Sequence, residues 1–141
     1  MDLQLVTLSG TVVDEKVYEV IIPTKDGEIS VFPGHEDLVS VTDPGVVMVR
    51  KEKQHGDDQM ELFAIGGGIV EVSAARVRIL VDEAEYGDDI VEAETKEALE
   101  RALQLRENAS DQVELEKARQ LVDRHAVRLK VADLARRRRR R

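Results

Sequence analysis

Three histidines, 29 acidic and 21 basic side chains, one glycine triplet and a terminal run of arginines are the groups this chain offers for chemistry. His35, His55 and His125 stand far apart, with no His-x-x-x-His pair and no acid-rich ligand spacing beside them. Neither a metal centre nor a catalytic triad is therefore in view. Ser9 lacks the Gly-x-Ser-x-Gly setting of a hydrolase nucleophile. There is no cysteine, which excludes disulfides, thiolate metal sites and a cysteine nucleophile. Gly66-Gly67-Gly68 has the composition of a phosphate-cradling loop, but such a loop needs a helix after it. Ile69-Val70-Glu71-Val72 reads as a strand, so the triplet is expected to be a bulge or tight turn. Nothing here argues for an enzyme or for a bound cofactor or metal.

The arginine run, Arg136, Arg137, Arg138, Arg139, Arg140 and Arg141, has two readings. It is a solvated tail, or it meets an acidic protein surface, anionic lipid or nucleic acid. Lys117, Arg124 and Arg128 lie near one stripe of the segment before it. They form either a solvated face or a docking face for an acidic partner. A nucleic-acid-binding accessory protein using Arg136–Arg141 is the rival reading from another functional class. Against it, the body is acidic: residues 1–87 carry 7 basic and 17 acidic groups, and the whole chain is at −8. Four aromatic residues are also too few for a base-stacking surface.

The elements that must position these groups fall into two kinds. The first 84 or so of the 141 residues alternate with period two: Leu3/Leu5, Ile29/Val31, Met60/Leu62/Ala64 and Val77/Ile79/Val81. Val17 to Ile22 and Val46 to Val49 are continuous apolar runs, expected of strands covered on both faces. Turn signals such as Asp26-Gly27, Pro33-Gly34 and Asp43-Pro44-Gly45 separate them. The pattern predicts an antiparallel β-sandwich over 1–84 with an aliphatic core. From Asp88 the period becomes helical, with Val91, Ala98, Ala102 and Leu105, then Leu115, Ala118, Val122, Ala126, Leu129 and Ala132. Asp88 or Asp89 is expected to cap the first helix. Asp111 with Glu114 is expected to open the second as a capping box. Residues 88–141 thus predict an antiparallel helical hairpin whose thin, Ala-rich stripes hold it weakly to the sandwich. No apolar run approaches the ~20 residues of a membrane span, and the start lacks a secretory signal, so the expected compartment is cytoplasmic.

Gly27-Glu28-Ile29-Ser30-Val31-Phe32-Pro33-Gly34-His35 resembles the Gly-Glu-Leu-Gly-Ile-x-Pro-Gly-His segment of the epsilon subunit of F-type ATP synthases. Ala64-Ile65-Gly66-Gly67-Gly68-Ile69-Val70-Glu71-Val72 resembles that family's Ser-Gly-Gly-Phe-x-Glu-Val strand. Val77-Arg78-Ile79-Leu80-Val81 matches its next strand, and Arg128-Leu129-Lys130-Val131-Ala132 its terminal helix. The resemblance implies a non-catalytic rotor subunit of the central stalk, peripheral on the cytoplasmic face of a bacterial membrane (or on an inner organelle membrane). Its sandwich would sit on the gamma subunit and the c-ring, with Glu28 and His35 at one end facing the ring. Its hairpin would either lie folded on the sandwich or extend towards the alpha/beta head and inhibit ATP hydrolysis. Arg124, Arg128, Lys130 and Arg136–Arg141 are the inhibitory cations on this reading.

Two departures matter. Glu36-Asp37-Leu38 replaces the Ala-Pro-Leu that often follows the histidine. Some bacterial members bind ATP through Ile/Leu-Asp-x-x-Arg-Ala opening the first helix. Here Val91 replaces the acid and Glu94 the arginine, and a carboxylate there repels a triphosphate. The expectation is no tight ATP site.

Overall fold

In a computed structural model, described over residues 1–139, the chain divides into two compact units, Met1–Tyr86 and a second from Gly87 on. The first is built of β1 (Asp2–Thr7), β2 (Gly10–Lys16), β3 (Glu19–Thr24), β4 (Gly27–Val31), β5 (Leu38–Thr42), β6 (Gly45–Arg50), β7 (Glu61–Ile65), β8 (Gly68–Val72), β9 (Arg76–Val81) and β10 (Ala84–Tyr86). One layer has the order β5-β8-β9-β1-β2; the other runs β10-β7-β6-β3, with β4 on β3. A single pair, Thr24 with Thr42, links the layers. Neighbours are antiparallel except β1 and β9, which run parallel with Leu5 beside Ile79. No hairpin joins those two strands, so no turn fixes their relative sense.

Between the layers lies an aliphatic core. Leu3, Leu5, Val20, Ile22, Val31, Val47, Val49, Val70, Val77 and Ile79 are all fully buried. The β-unit runs past the expected boundary at residue 84, because β10 pairs with β7 and brings Tyr86 against Phe63 with ring centroids 5.3 Å apart. The glycine triplet serves the sheet: a Cβ on Gly68 would lie 2.0 Å from the Leu80 carbonyl oxygen. That close approach of β8 to β9 is the reason for glycine there.

The acids do not all lie on solvated surfaces. Glu19 is buried opposite Arg50 on the neighbouring strand. Arg50 donates through Nε to Glu19 Oε2 at 2.8 Å, and through its two Nη atoms to the His55 carbonyl and to Asp57 Oδ1, each at 2.6 Å. The hydrogen bonds Arg50 donates to Asp57 and Glu19 hold the guanidinium's pKa above its ordinary value. One side chain thus pins the loop between β6 and β7 to the sheet.

The second unit opens with a 3-10 turn, Gly87–Asp89, followed by α1 (Glu92–Glu107) and α2 (Gln112–Arg139). The short loop between the helices makes them antiparallel neighbours. Asp111 accepts the Glu114 amide at 2.8 Å, as the spacing predicts. The Glu114 carboxylate reaches back to the Ser110 amide and hydroxyl at 3.0 and 2.9 Å, one residue earlier than the usual box. At α1 the expectation fails. The 3-10 turn, closed by Ile90 N–H on the Gly87 carbonyl, separates Asp88 and Asp89 from the helix. The N-cap is therefore Val91, which makes no side-chain cap bond.

Candidate functional site

Pro33 and Gly34 fill a turn in which the His35 amide donates to the Phe32 carbonyl at 3.2 Å. Gly34 has φ +87°, the positive value that the third residue of a type II turn requires. The Gly34 amide donates to the Ala74 carbonyl at 2.8 Å, fixing this turn beside the β8–β9 connection. His35 Nδ1 lies 2.6 Å from the Glu36 carbonyl oxygen; a carbonyl only accepts, so Nδ1 carries the proton. Phe32 remains 40% exposed and stacks edge-on with Tyr18 at 5.6 Å. Glu28 is exposed at the other end of β4, opposite Pro23. Glu28 thus lies near the start of β4, and His35 follows the Pro33-Gly34 turn beyond that strand's end.

The outer face of the β5-β8-β9-β1-β2 layer carries a surface that the sequence reading missed. Val41 lies opposite Ile69, Ile69 opposite Leu80, and Leu80 beside Val6, so one apolar row crosses four strands. Val41 and Ile69 are each 46% exposed, and Val39, two residues along β5, is 72% exposed. The next row begins at Val39 and is polar beyond it: Val39 opposite Glu71, Glu71 opposite Arg78, Arg78 beside Gln4, Gln4 opposite Asp14. Leu8, at the β1–β2 turn, is also fully in solvent. A contiguous apolar row rimmed by charge is the anatomy of an interaction surface. Its signal in sequence was Ile79-Leu80-Val81, three apolar residues in a row on a strand that otherwise alternates.

In the helical unit, Val91 has φ −88° and ψ 110°, and its carbonyl accepts both the amide and the hydroxyl of the buried Thr95. Glu94 is exposed. Arg124 and Lys130 are exposed on α2. Arg128 approaches His125 Nδ1 at 3.2 Å, and since a guanidinium only donates, that imidazole nitrogen accepts. Arg136–Arg139 are not a frayed tail but the last turn of α2. Arg136 pairs with Asp133 on its own helix and with Glu92 at 3.4 Å. Arg137 pairs with Asp133 at 3.1 Å, and Arg139 with Asp88 at 2.8 Å. Arg140 and Arg141 lie outside the described residues. Among the described residues, no helix is long and apolar enough to cross a membrane.

A family model described as ATP synthase, Delta/Epsilon chain, beta-sandwich domain matches residues 1–87. The chain is 34% identical over 139 residues to the ATP synthase epsilon chain of Herpetosiphon aurantiacus, covering 98% of each. This chain belongs to the ATP synthase epsilon chain family. A chloroplastic epsilon chain from Pelargonium hortorum is 31% identical over 130 residues, 92% of this chain and 94% of that one. Among solved structures, a chain of the Euglena gracilis mitochondrial ATP synthase (OSCP/F1/c-ring) superposes with TM-score 0.76 at 25% identity, over 92% of this chain and 79% of that chain. A chain of the Tetrahymena thermophila central stalk and c-ring shares the fold, with TM-score 0.60 at 15% identity over 94% of this chain and 96% of that one. An epsilon chain is a subunit of a larger complex and associates with the membrane through it.

Proposed function

We propose that this chain is a non-catalytic rotor subunit of an F-type ATP synthase. Its β-sandwich would seat on the gamma subunit and the c-ring and relay proton-driven rotation. Its helical unit would act as an arm that restrains ATP hydrolysis at the alpha/beta head. The observation that carries the reading is the match through both units, 98% of the chain's length, to an epsilon chain. The apolar row Val41–Ile69–Leu80–Val6 supplies the surface through which a rotor subunit would grip gamma, since torque needs a rigid, dry contact. Glu28, on β4, and His35, after the Pro33-Gly34 turn, would face the c-ring. Val91 and Glu94 leave the arm without a nucleotide site. The chain would be peripheral on the cytoplasmic face of a bacterial membrane, or on the inner organelle membrane. The nucleic-acid reading has no observation in its favour, because Arg136, Arg137 and Arg139 face carboxylates of their own unit.

The test is co-expression of the full chain with its cognate gamma subunit, followed by size-exclusion chromatography and reconstitution of the catalytic head. Co-elution is expected. ATP hydrolysis should rise when the chain ends at Tyr86. Separate elution would refute the stalk reading, and equal hydrolysis with and without the helices would refute the inhibitory arm.

A further inference from the structure

Arg136 and Arg139 project from the last turn of α2 onto the segment that enters α1. Arg136 Nε lies 3.4 Å from Glu92 Oε2, and Arg139 Nη1 donates to Asp88 Oδ1 at 2.8 Å. The later arginine meets the earlier acid, as antiparallel helices demand. Both pairs therefore span the open mouth of the hairpin, the end away from its loop at residues 108–111. Beneath them the buried residues are Ile90 just before α1, Thr95 on α1, and Val131, Ala132 and Ala135 on α2. Ile90 and Val131 are the large apolar groups buried there, and the rest are small, so the two ion pairs act beside a modest apolar contact. The helix dipoles act in the same sense, with acids at the start of α1 and cations at the end of α2.

We infer that the last turn of α2 is an electrostatic clasp that holds the hairpin closed across its mouth. Opening is then governed by ionic strength and by any acidic surface that competes for Arg136 and Arg139. The inference concerns closure of the hairpin alone and stands whichever partner the arm meets.

Hydrogen exchange of the full chain tests it, because exchange reads rare openings directly. Amides in the first turns of α1 should exchange about fivefold faster in an Arg136→Gln/Arg139→Gln variant at low salt, and likewise in Asp88→Asn/Glu92→Gln. In 1 M salt the wild-type chain should approach the variants, since the screening length falls to ~3 Å. The swapped variant Asp88→Arg/Arg139→Asp reverses the charge at each helix end but keeps the pair, and should recover most of the protection. Unchanged α1 protection in both neutralised variants would overturn the clasp. A swap that recovers nothing would overturn it too, leaving dipole effects alone.

Discussion

Replacing Val39, Val41 and Ile69 together with threonine tests the apolar row as the grip on gamma. Threonine keeps β-branching, and at the two valines nearly the same volume, so the strand loses neither its backbone preference nor its ladder bonds. The three side chains are 72%, 46% and 46% exposed, and none belongs to the buried cluster between the sheets. Full burial of a valine or isoleucine contributes ~1.5–3 kcal/mol, so covering the exposed half of each is worth about 1 kcal/mol. Three such losses total about 3 kcal/mol, or roughly a 100-fold rise in Kd. Hydroxyls covered without a partner would add to that. Bio-layer interferometry against immobilised gamma reads the affinity directly, and a urea titration of the free chain should move by no more than ~0.5 kcal/mol. Val113→Thr, at a 63% exposed position on the helical unit, is the matched control and should leave gamma affinity unchanged. A triple variant that binds gamma with the wild-type Kd would show that the row is not the grip, whatever its exposure.

Arg50→Met should destabilise the sandwich by about 3 kcal/mol in urea unfolding, because it strands the buried Glu19 carboxylate; Arg50→Met with Glu19→Leu should recover most of that loss. Val91→Asp should raise the stability of the helical unit by about 1 kcal/mol, read as slower α1 exchange, since the N-cap backbone is in place and lacks only an acceptor. Glu114 and Asp133 both have folded pKa values below their ordinary 4.5 and 3.8, the first through the Ser110 amide and hydroxyl, the second chiefly through Arg136. A depressed carboxylate stabilises above its unfolded pKa and loses that contribution as pH falls through the folded one. Helical-unit amide protection should therefore be flat from pH 7 to 6 and fall below about pH 4.5, and Glu114→Gln with Asp133→Asn should remove much of the fall. Isothermal titration with ATP should give no micromolar binding, and heats that fit a micromolar site would contradict the repulsion assigned to Glu94.

Strands whose inner face is apolar and outer face polar were legible in the sequence, as Leu3/Leu5 and Val77/Ile79/Val81 illustrate. Strands that break this rule were not. In β5 the valines of Leu38-Val39-Ser40-Val41-Thr42 point outward, while Thr42 is buried, so the pattern inverts. β2 is an edge strand in which Thr11, Asp14, Glu15 and Lys16 leave no period-two apolar pattern. β10 has three residues and exists because it pairs with β7 and sets Tyr86 against Phe63, a long-range event invisible to periodicity. The same limit applies to the apolar row. Val6, Val41 and Ile69 each look incidental in their own strands, Leu80 alone breaks the alternation of its strand, and only the register of four strands aligns them.

The arginine run shows a different limit. Charge clustering suggests a solvated tail, but arginine is also a good helix former, and cations suit the negative end of a helix dipole. Local propensity and the acids at the start of α1 then act together, and the helix continues through Arg139. That changes the thermodynamics assigned to these cations. A guanidinium facing Asp88 or Glu92 must leave that carboxylate before it can face a carboxylate on another subunit, so closed and docked arms compete for the same charges. The net gain on docking is the difference between two exposed ion-pair sets, each worth ~0–1 kcal/mol per pair, and it shrinks with salt on both sides. Charge at Arg136 and Arg139 therefore sets how readily the arm changes state more than how tightly it holds in either one. The direction of the change must come from surfaces that only one state buries.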